Sequence, residues 1–252
     1  MKVGVATIYY KSVPLVSAVE LLSRITDNIM ISPIYSQVTE EDLQNLNYIK
    51  DTLGIEYYIH GLFPASGTDP YTTGYNIRDI KETINNAYKL ESDIVILHPT
   101  PKKLYESSVN ILKEALKFAE DRGVKLAIEN KPEDDVFLKS EEDFSRLIED
   151  IPEIKLCLDT SHFFLWNGDS ERLSQVIKEF KDYIAIFHIA DARVGEDLQM
   201  LPGYGDINWY LVGRSLINLD LRKVPLILES IYPTNVLEGI KNLRQVIVDH
   251  IW

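Results

Sequence analysis

The 252-residue sequence has a single cysteine, Cys157, so an intrachain disulfide is impossible. Cys157 lies inside the apolar run KLCLD, which predicts a buried and unreactive thiol. No apolar run approaches the ~20 residues of a membrane-spanning helix, and the N-terminal run MKVGVATIYY carries no signal-peptide cleavage pattern. We therefore expect a cytoplasmic protein that does not enter a membrane.

Positive charge is also scarce, because 26 lysines and arginines face 39 aspartates and glutamates, for a formal net charge of −13. Proteins that bind DNA through many phosphates usually present a basic surface, so this balance argues mildly against nucleic acid. The negative net charge does not exclude nucleic-acid binding, since carboxylates that bind metal or lie far from the ligand also contribute to this charge. The segment ATIYYKSVP, after the first predicted strand, lacks a Gly-rich phosphate loop, which argues against an open doubly wound sheet.

Eight short apolar or β-branched runs are present, and a helical segment follows each one. They span roughly 3–9, 28–34, 55–60, 93–98, 125–130, 154–159, 184–190 and 224–230. Near-continuous apolar runs are typical of parallel strands buried on both faces. Thr39, Ser140 and Asn235 are predicted N-caps of three of the helices. Eight alternating units in this length predict an α/β protein, a single-domain (β/α)₈ TIM barrel over residues 1–252.

The third to eighth runs each end in an imidazole or a carboxylate. These residues are His60, His98, Glu129, Asp159, His188 and Glu229. Since a (β/α)₈ barrel carries its active site at the C-terminal ends of the strands, we expect all six side chains to converge on one mouth. His162, three residues after Asp159, and Asp197, in the long segment 191–208, are close enough along the chain to reach the same space.

This set contains four of the five histidines of the chain, together with four carboxylates. A ring of imidazoles and carboxylates is the donor set that zinc, manganese or a similar divalent ion requires. A cation also relieves the mutual repulsion of clustered carboxylates. The pattern predicts a divalent-metal cofactor and leaves Mn, Mg, Co and Zn open.

The motifs IENKP, LDTSH, FHIAD and ILES, in this order at strand ends, resemble the xylose isomerase-like barrel superfamily over nearly the whole chain. That superfamily holds sugar isomerases and epimerases and also endonuclease IV-like apurinic-site nucleases. The epimerase-like pattern implies that Glu129, Asp159, His188 and Glu229 hold one divalent metal. The nuclease-like pattern implies further ligands at His60, His98, His162 and Asp197, and a histidine where this chain has Gln199, a poor zinc ligand.

The resemblance, with IENKP and LPGYGDINW closer to the sugar enzymes, implies an isomerase or epimerase acting on a sugar, a sugar phosphate or a hydroxy-ketone. Glu129 and Glu229 would exchange a proton through an enediolate, and which of them is the base stays open. The alternative is zinc-dependent cleavage of abasic DNA, and a third possibility is a barrel that binds without turnover.

Four residues near the predicted mouth are candidate substrate contacts: Arg193, Lys102, Phe63 and Trp166. Arginine can hold hydroxyls, lysine can meet a phosphate, and the two aromatic side chains can offer apolar faces to a sugar ring. The segment 64–76, with its glycines and proline, is a candidate lid. The identity of the substrate and the oligomeric state stay open.

Overall fold

The computed structural model describes residues 2–10, 12–32, 38–61, 73–219, 223–230 and 236–248, except for the side chains of residues 197, 198 and 246–248. Its strands are β1 (Val3–Ala6), β2 (Asn28–Ile31), β3 (Glu56–His60), β4 (Ile94–Leu97), β5 (Lys125–Glu129), β6 (Lys155–Asp159), β7 (Ile184–Ile189), β8 (Asp191–Arg193), β9 (Glu196–Met200) and β10 (Leu226–Leu228). Eight of them close into a parallel barrel in the order β1-β10-β7-β6-β5-β4-β3-β2, which confirms the predicted fold class.

The helices surround the barrel and alternate with its strands. They are α1 (Leu15–Leu22), α2 (Glu40–Leu53), α3 (Ile77–Lys89), α4 (Tyr105–Glu120), α5 (Glu141–Asp150), α6 (Thr160–Asn167), α7 (Ser170–Glu179), α8 (Trp209–Ile217) and α9 (Val236–Val248). Thr39 and Ser140 cap α2 and α5 through complete capping boxes, as predicted, whereas Asn235 lies outside the described residues. Among the described residues, no helix has both the length and the apolar character needed to span a bilayer.

The apolar core has two layers, one between the strands and the helices and a smaller one inside the barrel. The inner layer includes Met30, Tyr58, Ile96, Cys157 and Ile186. Cys157 is buried as predicted, and this burial raises the pKa of its thiol to about 12. The filled interior leaves the mouth at the C-terminal ends of the strands as the place for polar chemistry.

The first strand is shorter than the predicted run 3–9, because the chain turns into a 3-10 helix at Thr7–Tyr10. The side chain of Thr7 stabilises this turn, since its hydroxyl oxygen accepts a hydrogen bond from the backbone N–H of Ser32 at 3.0 Å. The backbone therefore leaves the barrel wall earlier than the apolar pattern indicates.

The segment 191–208 is not simply a loop, because its first part forms the antiparallel pair β8 and β9. The buried Asp191 carboxylate organises the chain after this hairpin, accepting hydrogen bonds from the backbone N–H groups of Gly203 and Ile207 and from the indole N–H of Trp209 at 2.8, 3.1 and 2.8 Å. A Cβ at Gly205 would lie 2.3 Å from an oxygen of the same carboxylate, so the close approach requires glycine. This packing holds the hairpin next to the mouth.

Candidate metal centre

The structure brings the six predicted strand-end side chains together at the mouth of the barrel. Three of them, His60, Glu129 and Asp159, are the last residues of β3, β5 and β6. His98 and Glu229 directly follow β4 and β10, and His188 is the penultimate residue of β7. All except His98 are buried, and the His98 side chain is 15% exposed.

Glu129 lies at the centre of the cluster and is fully buried. Its Oε2 atom is 3.1 Å from Nε2 of His60, 3.5 Å from Nε2 of His98 and 3.5 Å from Nδ1 of His188. The His60 ring makes edge contacts with the other two imidazoles, with centroids 4.7 Å from His98 and 5.2 Å from His188. Three imidazoles from three strands thus face one carboxylate oxygen.

Glu229 approaches the same imidazoles. Its Oε2 atom is 2.6 Å from Nδ1 of His188, and its Oε1 atom is 3.9 Å from Nδ1 of His60. The two glutamates therefore share His60 and His188 as neighbours, although they come from strands three places apart around the barrel.

Asp159 is held by the start of helix α6. Its Oδ1 atom accepts hydrogen bonds from the backbone N–H of His162 at 2.8 Å and from the hydroxyl of Ser161 at 2.7 Å. Its Oδ2 atom lies 3.4 Å from Nδ1 of His162, and that nitrogen is also 3.1 Å from Oε1 of Glu129. The helix start thus places one Asp159 oxygen and the His162 ring beside Glu129.

In the part of the chain that the structure describes, the donor atoms form two groups in which all atoms lie within 4.8 Å of one another. The first donor group is His60, Glu129, His188 and Glu229, and the second donor group is Glu129, Asp159 and His162. Of the four ligands predicted for one metal, Glu129, His188 and Glu229 therefore lie in the first donor group with His60. The fourth, Asp159, lies in the second donor group with His162.

Several of these buried atoms make no hydrogen bond of regular geometry with the described residues, although they lie at ion-pair distance from one another or from Lys131. They are both ring nitrogens of His60, both carboxylate oxygens of Glu129, Oδ2 of Asp159 and Nδ1 of His188. Buried polar atoms are nearly always satisfied, and a divalent ion would satisfy oxygen and imidazole donors of this kind together. The residues present therefore fit a metal.

The electrostatics of the site favour the ionised form of two of the three carboxylates. Burial alone would raise the pKa of Glu229, but His188 and His60 outweigh it and lower that pKa to about 2. Burial would likewise raise the pKa of Glu129, but Lys131 and His188 hold it well below its usual range. The pKa of the Asp159 carboxyl is raised, chiefly by burial. An added cation would favour the ionised form of Asp159 and so offset the effect of burial.

The remaining predicted residues are placed less centrally. Arg193 is exposed on β8, where its guanidinium donates to the backbone carbonyl of Tyr204 at 3.5 Å, and Lys102 is exposed in a 3-10 turn. Trp166 packs against Phe163 with ring centroids 5.5 Å apart. Phe63 and most of the predicted lid 64–76 lie outside the described residues, and so does the side chain of Asp197.

Two residues that the sequence pattern did not single out belong to the site, Asn130 and Lys131, directly after Glu129. The Asn130 side chain accepts from the backbone N–H of Asp159 at 2.7 Å and donates to its carbonyl at 3.1 Å, which ties the ends of β5 and β6 together. Nζ of Lys131 is 2.7 Å from Oε1 of Glu129. Both are polar residues that directly follow a strand-end carboxylate. This sequence pattern could have identified them as candidates.

Comparison with known proteins gives the same fold. A family model described as a xylose isomerase-like TIM barrel matches residues 17–247. An uncharacterized protein of Methanocaldococcus jannaschii, MJ1614, is 32% identical over 155 residues, which are 59% of this chain and 56% of that protein. The chain thus spans about half the length of that relative.

Three solved structures are similar over essentially the whole chain. A D-tagatose 3-epimerase-like protein has a TM-score of 0.78 at 21% identity, covering 100% of this chain and 98% of its own. The IOLI protein with a bound zinc atom has a TM-score of 0.75 at 21% identity, with the same coverage. Endonuclease IV from Thermus thermophilus has a TM-score of 0.73 at 18% identity, covering 100% and 99%.

Proposed function

Because the chain belongs to the xylose isomerase-like TIM barrel family, we propose that it is a divalent-metal-dependent isomerase or epimerase of a sugar or a related hydroxy-ketone. The observation that carries the proposal is the pairing of two buried glutamates around one imidazole. Nδ1 of His188 lies 2.6 Å from Glu229 and 3.5 Å from Glu129. Moving a proton next to a carbonyl needs two such acid–base groups around one reacting carbon.

The proposed metal ligands are Glu129, Asp159, His188 and Glu229. When bound, a divalent ion supplies a Lewis acid that polarises the carbonyl and favours the enediolate. His60 faces the same space, and neither of its ring nitrogens makes a hydrogen bond of regular geometry with the described residues. We assign it, with His98, to hydrogen bonds with substrate hydroxyls.

One glutamate takes the proton from the carbon next to the carbonyl, and the other returns a proton to the same or the neighbouring carbon. Carboxylates are ionised near neutral pH, so either glutamate can act as the base. The Glu229 side chain is 8% exposed and the Glu129 side chain is not exposed at all, so Glu229 is the more accessible to a substrate in the mouth. The candidate substrate contacts Arg193, Lys102, Phe63 and Trp166 remain part of this proposal.

The test is solvent exchange with ketoses. The purified protein is loaded with manganese and incubated in D₂O with D-tagatose, D-psicose and L-ribulose, sugars named for structurally similar epimerases. Proton NMR then follows deuterium entry at the carbons flanking the carbonyl. Exchange that chelation abolishes and manganese restores supports the proposal, whereas no exchange with any ketose or hydroxy-ketone contradicts it.

A second candidate function is phosphodiester hydrolysis at abasic DNA sites. The specific observation in its favour is that His60 and His98 both approach Oε2 of Glu129, at 3.1 and 3.5 Å, although a single-metal epimerase needs neither as a ligand. The net charge of −13 and Gln199 in place of a histidine weigh against it. Incubation of the zinc-loaded protein with an oligonucleotide containing one abasic site separates the two, since only the second candidate predicts strand cleavage.

A further inference from the structure

Lys131 reaches into the metal centre from the first residues after β5. Its backbone N–H donates to the carbonyl of Leu138 at 2.9 Å, which fixes the chain where it leaves the strand. Its side chain is only 15% exposed, and Nζ lies 2.7 Å from Oε1 of Glu129. Lysine is a cation at neutral pH, so this contact places an ammonium group inside the site.

The two oxygens of Glu129 face different neighbours. Oε2 lies toward the imidazoles of His60, His98 and His188, at 3.1 to 3.5 Å. Oε1 lies 2.7 Å from Lys131 and 3.1 Å from His162. A glutamate that bridges two metal ions offers one oxygen to each, but here one oxygen is already paired with an ammonium group.

That ammonium group lies beside the second donor group, because its partner Oε1 of Glu129 is also 3.1 Å from Nδ1 of His162. The charge of the site agrees with a single ion. Among the described side chains, three buried carboxylates, Glu129, Asp159 and Glu229, are balanced by one lysine and one divalent ion. A second divalent ion would leave two positive charges in excess within a buried site, which is costly.

We propose that the Lys131 ammonium takes the place of a second divalent ion at Glu129, Asp159 and His162, and so restricts the protein to one metal per chain. The proposal rests on the metal site of the proposed function. It identifies Lys131 as the residue that separates a one-metal site from a two-metal site built on the same carboxylates.

The experiment counts bound metal in Lys131→Met, which keeps the length of the side chain and removes its charge. Wild type and variant are dialysed to equilibrium against excess zinc, and separately manganese, and analysed by plasma mass spectrometry. We expect one ion per chain in wild type and two in Lys131→Met. Lys131→Arg keeps the charge and should retain one ion. Lys139→Met is the matched control, because Lys139 is 13% exposed and pairs with Asp134 outside the centre.

A folded Lys131→Met protein that still binds one ion would overturn the proposal, and so would a wild type that binds two. Circular dichroism establishes that each variant folds. If Lys131→Met does not fold, the metal ions bound to Lys131→Gln are counted instead. A wild-type count of two ions overturns the proposal whether or not a variant folds. Ketose exchange is measured separately. One ion without turnover therefore counts against the proposed reaction, and an unchanged count in the variant counts against the role of Lys131.

Discussion

The side-chain amide of Gln199 lies 2.8 Å from Nε2 of His162 and donates a hydrogen bond to it. With Nε2 as the acceptor, the ring proton is on Nδ1, which faces the carbonyl of Asn130 at 3.1 Å and the carboxylates of Glu129 and Asp159. Gln199 therefore favours the tautomer in which Nδ1 of His162 faces the carboxylates as a hydrogen-bond donor. Its own backbone has a φ of 34°, a strained conformation for a residue other than glycine.

Replacing Gln199 with leucine should loosen the metal centre without removing a ligand. The His162 ring would lose the partner that sets its tautomer and directs Nδ1 toward the proposed ligands Glu129 and Asp159. Groups that support metal ligands typically contribute about 10- to 100-fold to metal affinity or activity. We expect a loss of that order in metal affinity, measured by competition with a chelator. Gln175→Leu is the matched control, because Gln175 bonds only Arg172 in the part of the chain described. Equal losses in both variants would contradict the role of Gln199.

Glu129→Gln and Glu229→Gln should each reduce ketose exchange by at least about 10²- to 10⁴-fold, the usual contribution of a general acid or base. Each amide also removes a negative charge from the proposed ligand set, so metal content should fall in parallel. Glu141→Gln is the control, because Glu141 is also a buried glutamate but pairs with Arg172 on the outer helices. Exchange kinetics and metal analysis on the same preparations check the prediction, and near-wild-type exchange in either site variant would refute it.

The sequence predicts the barrel and the six strand ends well, for a physical reason. A parallel strand buried on both faces is a short continuous apolar run, so VKLAIE places Glu129 where the strand meets the mouth. The hairpin β8–β9 was missed because EDLQM has little apolar character and its position depends on the distant contacts of Asp191. Lys131 was missed because the direction of a long flexible side chain is decided by its tertiary neighbours.

The sequence also could not show which of the predicted ligands lie close enough together to bind the same ion. Periodicity indicates that His60 and Asp159 both end strands, but the side-chain conformations decide which of them shares a donor group with His188 and Glu229. In the structure that residue is His60, whereas the proposed ligand set contains Asp159. The assignment of His60 and the assignment of Asp159 as the fourth metal ligand predict different effects of mutation on metal binding.

Asp159→Asn should lower metal affinity strongly, because it replaces an anionic oxygen ligand by a neutral one. His60→Gln should keep one ion per chain and instead raise KM for the ketose, since we assign His60 to a substrate hydroxyl. Isothermal titration with manganese and steady-state kinetics measure the two effects. Loss of the ion in His60→Gln with retention in Asp159→Asn would reverse the assignment.

The metal-free protein should be most stable in mildly acidic solution. Burial opposes the charged form of His188, but the carboxylates of Glu229 and Glu129 outweigh it and raise its pKa well above 6.5. This stabilisation is fully present below pH 6.5 and is lost as the pH rises through the higher folded pKa. The pKa of Glu229 is lowered from 4.5 to about 2, so its stabilisation is present above pH 4.5 and is lost as the pH falls toward 2.

Thermal unfolding of the chelator-treated protein across this pH range checks the prediction. Tm of the wild type should be highest between about pH 4.5 and 6.5 and should decline on both sides. The alkaline decline should be smaller in His188→Gln, because that variant has no imidazolium to lose. The acid decline should be smaller in Glu229→Gln, whereas Glu141→Gln should follow the wild-type profile at the alkaline end. Since bound metal competes with protons for the same imidazole, the loaded protein should instead gain stability as the pH rises toward neutrality. An alkaline decline of equal size in wild type and His188→Gln would show that His188 is not held as a cation between the two glutamates.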